Sequence, residues 1–176
     1  MRMTAVINDL CMQRRNSGKL RRFLDRLSCS HTVCEYHVNE PAEATALAVR
    51  EKNSDGFIVA GGDGTASGVI NGMDLSRQGI FVLPLGTGNG FAADRKMRLD
   101  VTAAATGTIS VRTADLLRVR WRTAERECSR YAISTSAVGF VAQLVDHAHR
   151  HGLRRLGPLC YPFSGGFCYF HRRPVS

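Results

Sequence analysis

What this 176-residue sequence lacks narrows its function before any motif is considered. No apolar run approaches the ~20 residues needed to span a bilayer. The opening Met1-Arg2-Met3-Thr4-Ala5-Val6-Ile7-Asn8 turns polar too soon to form the core of a secretory signal. The six cysteines, Cys11, Cys29, Cys34, Cys128, Cys160 and Cys168, contain no Cys-x-x-Cys pair. That argues against a cysteine metal site and for reduced thiols in the cytoplasm. With a single tryptophan, no zinc-finger spacing and no aromatic RNA-binding signature, nucleic acid is not an expected partner, although the formal charge is +9. The same charge is also compatible with an anionic membrane surface, and any membrane contact would be peripheral. Internal repeats, low-complexity tracts and linkers are also absent, and Ser164-Gly165-Gly166 comes nearest to a flexible segment.

What is present suits a packed α/β domain. Hydrophobic residues make up 44% of the chain, ample for a core. Strand signals at Thr4–Asn8, His31–Val38, Gly56–Ala60 and Gly79–Leu83 alternate with helical patterns at Ser17–Leu27, Ala42–Lys52 and Thr65–Met73. Ser17 reads as an N-cap and Pro41 as a first-turn proline. Alternation of this kind implies a mostly parallel sheet flanked by helices. After Thr108 the pattern changes: Leu117, Val119 and Trp121 alternate with Arg118, Arg120 and Arg122 as in a half-buried strand. Thr123–Glu127 reads as a turn, and Tyr131-Ala132-Ile133 as the start of an antiparallel return. The expected organisation is an α/β domain over residues 1–107, followed over 108–176 by the start of an antiparallel, β-rich second domain.

Two glycine-rich turns, Gly61-Gly62-Asp63-Gly64-Thr65 and Leu83-Pro84-Leu85-Gly86-Thr87-Gly88-Asn89, each follow an apolar strand. Such turns let backbone N–H groups converge on anionic oxygens, and open α/β sheets bind ligands at this edge. Neither is a Walker loop, because no lysine follows it. Neither is a dinucleotide fingerprint, because the third glycine would fall at Ser67 or Phe91. Asp63 lies where phosphate is expected, and a carboxylate beside phosphate is repulsive unless a cation lies between them or it accepts a substrate proton. The pattern points to Mg-nucleotide chemistry, although each turn alone is also an ordinary structural turn.

These residues resemble the diacylglycerol kinase catalytic-domain family of lipid kinases. Phe57-Ile58-Val59-Ala60-Gly61-Gly62-Asp63-Gly64-Thr65 is similar to its nucleotide loop, Val69-Ile70-Asn71-Gly72 to the helix after it, and Leu83 to Ala92 to its second motif. Weaker likenesses lie at Val6-Ile7-Asn8, Asp115, Ala137-Val138-Gly139-Phe140 and Leu156 to Tyr161. Related NAD kinases share the Gly-Gly-Asp-Gly turn, but an Asn-Glu pair is expected downstream of it, and the pair here, Asn39-Glu40, lies upstream. The resemblance implies transfer of the γ-phosphoryl group of ATP, with Mg²⁺, to a lipid hydroxyl. It implies Asp63 as catalytic residue, Gly61, Gly62, Gly64, Thr65, Gly86 and Thr87 as phosphate contacts, Asn8 near the adenosine, and Asp115 in a metal network.

The chain departs from the family where Ser67 and Gly68 replace a polar residue and a glutamate, and where Gly90 replaces an aspartate. Loss of two acidic groups should weaken Mg²⁺ organisation. The alternative readings are a non-catalytic nucleotide-binding piece and, third, an NAD kinase-like enzyme. An incomplete second domain would leave unpaired strand edges and favour self-association. His147, His149 and His151, with Arg150, Arg154 and Arg155, read as a solvated basic segment, since no further ligand stands at metal spacing. Arg118, Arg120 and Arg122 read as an exposed sheet face able to meet anionic lipid.

Overall fold

The computed structural model describes residues 1–12, 14–86, 89–97, 112–133, 140–151, 162 and 164–166. Strand β1 (Arg2–Asn8) leads through a single 3-10 turn (Asp9–Cys11) towards α1 (Arg14–Ser28). Then come β2 (Thr32–Val38), α2 (Pro41–Arg50), β3 (Gly56–Gly61), α3 (Asp63–Ile70), β4 (Gly79–Pro84) and α4 (Gly90–Asp94). The four strands form one parallel sheet in the order β2-β1-β3-β4. Because strand order reverses between β1 and β3, their carboxyl ends flank a topological switch point, where such sheets open a ligand crevice.

Side-chain parity assigns the two faces. Val6 on β1, Phe57 and Val59 on β3 and Val82 on β4 pack against Ala44, Leu47, Ala48, Ala66, Val69, Phe91 and Ala92 from α2, α3 and α4. The alternate residues Met3, Ala5, Ile7, Ile58, Ala60 and Leu83 meet Leu20, Phe23, Leu24 and Leu27 of α1, and Phe23 stacks on Phe81 at 5.9 Å. Central β3 is buried at every residue, which accounts for its unbroken apolar run.

Local chemistry sets several boundaries. Pro41 stands in the first turn of α2, as expected. Ser17, expected as the N-cap of α1, lies instead inside the helix, which begins at Arg14. Helix α3 begins two residues earlier than the pattern suggested, because Gly62 is extended and caps it. Its glycines then meet α2. A Cβ on Gly68 would stand 2.4 Å from the carbonyl oxygen of Pro41, and one on Gly72 2.4 Å from that of Thr45. The close approach lets the Thr45 hydroxyl donate to the Gly68 carbonyl at 2.9 Å.

Strand β5 (Leu117–Arg122) pairs antiparallel with β6 (Glu127–Ala132), Arg122 facing Glu127 and Arg118 facing Tyr131. The fold is therefore α/β, a four-stranded parallel sheet flanked by helices followed by a small antiparallel sheet. The return strand starts at Glu127, four residues before its expected start. Thr123 closes the turn itself: its N–H and hydroxyl reach the Arg126 carbonyl at 2.9 and 3.0 Å. Leu117 and Trp121 are exposed, so the pattern expected of a half-buried strand belongs here to an open hairpin.

By compactness the chain divides into Met1–Ser134 and Thr135–Ser176. The described part of the second unit holds α5 (Phe140–Arg150), which the sequence reading did not include. There Asp146 pairs with Arg150 at 2.8 Å, the His147 and His151 rings lie 4.3 Å apart, and buried Ser164 donates to the Leu144 carbonyl at 2.7 Å. No helix among the described residues is long and apolar enough to cross a membrane.

Candidate functional site

The carboxyl ends of β1, β3 and β4 bring the two glycine turns together. The Leu85 N–H donates to the Gly61 carbonyl at 3.1 Å, carrying the β3–β4 ladder one step past the strands. Beyond it the backbones touch: a Cβ on Gly86 would lie 2.5 Å from Gly62 Cα, and one on Gly62 3.2 Å from Gly86 Cα. The absent side chains are thus a requirement of one loop lying on the other.

Asp63, the first residue of α3, joins the same pair of loops. Its Oδ2 accepts from the Gly90 N–H at 2.8 Å and its Oδ1 from the Phe91 N–H at 3.1 Å, so one carboxylate holds the first turn of α4. An ionised acceptor at a helix start is favoured by the unpaired N–H groups and the dipole there. With one N–H on each oxygen, a carboxylate keeps further lone-pair positions open. A Cβ on Gly90 would come within 3.5 Å of Asp63 Oδ2, so the aspartate usual in the resembled family would bring a second carboxylate to this point. Gly90 instead leaves Asp63 without a like-charged neighbour at that position.

Asn89 completes the second turn. Its backbone is left-handed, with φ 53°, a conformation asparagine tolerates better than most residues. Its side chain clasps Gly86, with Oδ1 accepting from the N–H at 2.9 Å and Nδ2 donating to the carbonyl.

Asn8 ends β1 beneath these loops. It is 6% exposed and donates through Nδ2 to Thr65 Oγ1 at 2.9 Å, with Thr65 itself 3% exposed. Its Oδ1 is buried with no hydrogen-bond partner. Gly61 lies against the pair, since a Cβ there would stand 2.8 Å from Thr65 Oγ1. A buried amide atom without a partner is costly unless a ligand or water meets it. Helix α3 takes up its first backbone donor at Ala66, whose N–H reaches the Gly62 carbonyl at 3.1 Å. The donors of Asp63, Gly64 and Thr65 precede that bond at the positive end of the helix.

The structure therefore gathers Asn8, Gly61, Gly62, Asp63, Thr65 and Gly86 at one place, with Gly64 exposed on the same turn. Thr87 lies outside the described residues. Asp115 is exposed on the segment before β5, and no hydrogen bond or ion pair joins it to the loops among the described residues. The donor set suits a nucleotide triphosphate with a hydrated divalent cation: backbone N–H groups for phosphate and one nearby carboxylate. No group of three metal-ligating side chains occurs among the described residues. The roles of Asn89 and of the Gly90 and Phe91 N–H groups were not read from the sequence. Asparagine among glycines was the available signal for the first; nothing in the sequence marked the second.

The model of the diacylglycerol kinase catalytic domain matches residues 2–119. The chain belongs to this family. A diacylglycerol kinase of Staphylococcus saprophyticus is 29% identical over 136 residues, 74% of this chain and 42% of that protein. An uncharacterized protein of Synechocystis is 26% identical over 146 residues, 79% of this chain and 32% of its own length. The chain thus spans less than half of either relative. Among solved structures, a diacylglycerol kinase from Bacillus anthracis str. Sterne superimposes with a TM-score of 0.51 at 24% identity, covering 59% of this chain and 41% of that one, a likeness of fold. The family match covers both glycine turns and Asp115.

Proposed function

We propose that this chain carries the nucleotide-binding part of an ATP-dependent lipid kinase, in which the γ-phosphoryl group passes to the hydroxyl of a diacylglycerol or sphingoid lipid. Residues 1–107 would bind the nucleotide, and the β-rich second domain would begin near residue 108. One observation carries the reading: the contact of Gly62 with Gly86 beyond the carboxyl ends of β3 and β4, with the unpartnered Asn8 oxygen at the end of neighbouring β1. The N–H groups around Gly61, Gly62, Gly64, Thr65, Gly86 and Thr87 would hold phosphate oxygens, and Asn8 would approach the adenosine. Asp63, its oxygens already steadied by two N–H groups, would take the acceptor hydroxyl proton or orient water. Mg²⁺, held through water by Asp63 and, on the family pattern, Asp115, would neutralise phosphate charge. Arg118, Arg120 and Arg122 share one face of the β5–β6 hairpin and would meet anionic lipid from the cytoplasmic side.

A second reading keeps nucleotide binding without turnover, and Gly68 favours it, because a glutamate there has no room against Pro41. Titration calorimetry of ATP with and without Mg²⁺, followed by labelled-ATP assays on diacylglycerol, ceramide, sphingosine and NAD, separates the readings. Mg²⁺-dependent ATP binding with a labelled lipid supports the kinase, and binding without product supports the second reading. Label on NAD overturns the lipid assignment. Light scattering of the same samples tests self-association, and vesicles of graded anionic content test the arginine face, whose attraction should fall with salt.

A further inference from the structure

Asn71 lies at the far end of α3 from the glycine turn, as its C-cap. Three hydrogen bonds use both N–H donors of its side chain and one acceptor position of its oxygen. Nδ2 donates to the Ser67 carbonyl at 2.8 Å and to the Tyr131 carbonyl at 2.9 Å, and Oδ1 accepts from the Tyr131 N–H at 2.9 Å. Both backbone groups of Tyr131 therefore turn away from β5, which makes Arg118 and Tyr131 a non-hydrogen-bonded pair whose side chains lie close. The Arg118 guanidinium indeed lies 5.8 Å from the centre of the Tyr131 ring.

The Asn71 amide thus does on the outer edge of β6 what the peptide group of a third strand would do. A two-stranded hairpin is marginal by itself and needs another partner. Here the partner is a side chain on the helix that carries Asp63 at its other end.

We propose that Asn71 is a positioning residue that locks the arginine-bearing hairpin to α3, and through it to the nucleotide loop. Its effect on phosphoryl transfer rests on the kinase reading; the lock itself does not. The geometry requires one donor and one acceptor on the same planar group, which asparagine supplies at every pH. Ionised aspartate would turn an acceptor toward the Ser67 and Tyr131 carbonyls, whereas protonated aspartate could again donate to one and accept from the Tyr131 N–H.

Hydrogen exchange read by mass spectrometry on the 176-residue chain tests this in Asn71→Ala and Asn71→Asp, with ATP affinity measured on the same samples. Corrected for intrinsic exchange, residues 127–133 should exchange about tenfold or more faster in Asn71→Ala across the pH range. In Asn71→Asp they should exchange fast at neutral pH and regain protection as the carboxyl protonates, at about pH 4.5–5.5. ATP affinity should stay within about threefold throughout.

Wild-type exchange in both variants overturns the proposal, as does an equal, pH-independent loss in both, which would indicate packing rather than the clasp. Amides of β1 and β3 in the same spectra report folding, and Asn71→Ser replaces Asn71→Ala if the latter does not fold. If wild-type protein fails to bind ATP while the exchange pattern holds, the kinase reading fails and the lock stands.

Discussion

The two edges of the parallel sheet are built by opposite rules. At the amino edge, polar side chains close on one another. Fully buried Ser54 lies within 3.0 Å of the Thr4 hydroxyl and 2.8 Å of the Gly56 carbonyl. Gln78 donates to the Glu51 and Ser54 carbonyls at 3.1 and 2.9 Å and accepts from the Asp74 N–H at 2.8 Å. At the carboxyl edge two loops touch through bare glycine backbone, and the buried Asn8 oxygen has no partner. The first edge satisfies its own polar groups; the second leaves an amide oxygen without a partner, which the proposed nucleotide would meet. Stability and ligand response should therefore separate between them.

The largest effect is expected at Gly68. Gly68→Glu, which restores the residue usual in the family, drives a Cβ into the Pro41 carbonyl and buries a carboxylate between helices. It should cost at least about 3 kcal/mol by urea unfolding. Near-native stability would show that α2 can move aside, and that the glycine is incidental.

Next come the touching glycines. Gly86→Ala meets backbone at 2.5 Å and should lose about 2–3 kcal/mol together with ATP affinity, whereas Gly62→Ala, at 3.2 Å, should lose under about 1 kcal/mol. Paired melting and calorimetry read both, and equal losses would contradict the contact geometry.

A crossed pair sharpens the comparison. Ser54→Ala strands the Thr4 hydroxyl and should cost about 1–3 kcal/mol with ATP affinity unchanged. Asn8→Ala should cost about 1 kcal/mol or less, because one of its amide atoms is unused, yet weaken ATP about tenfold. The reverse assignment of effects would dissolve the distinction between the edges.

The smallest effect lies in the turn after α3. The Ser76 hydroxyl, then its N–H, hold Asp74 below the ordinary carboxylate pKa. A group lowered on folding stabilises above its unfolded pKa and loses that contribution as pH falls through the folded one. Ser76→Ala should therefore lower stability slightly and evenly above about pH 6, with the difference from wild type vanishing as pH falls, so that the acid limb is flatter. An unchanged acid limb would deny Asp74 any share.

Much of this was legible in the sequence because it is local. The glycine turns, the strands before them and Pro41 at the start of α2 depend on neighbours a few positions away. What escaped was set by distant partners. Asp63 finds its N–H donors 27 and 28 residues later, and Asn71 finds Tyr131 60 residues on, so neither spacing nor periodicity points to them. Gly68 read as a lost acid in sequence, and its role as a contact surface emerged only with Pro41 opposite it. The hairpin boundaries shifted because Thr123, an unexceptional turn residue in sequence, closes its own turn.

The three strand ends that form the candidate site belong to residues far apart in the chain, Asn8, Gly61 to Thr65, and Gly86 with Asn89 to Phe91, and they meet only when the sheet is assembled. A ligand held there can bind no unfolded form, so mass action couples its occupancy to melting of the whole sheet. At a hundredfold excess over its dissociation constant, such a ligand adds about 2.7 kcal/mol to the unfolding free energy. Thermal shift in a panel of nucleotides can therefore rank candidates for these loops without any turnover being observed.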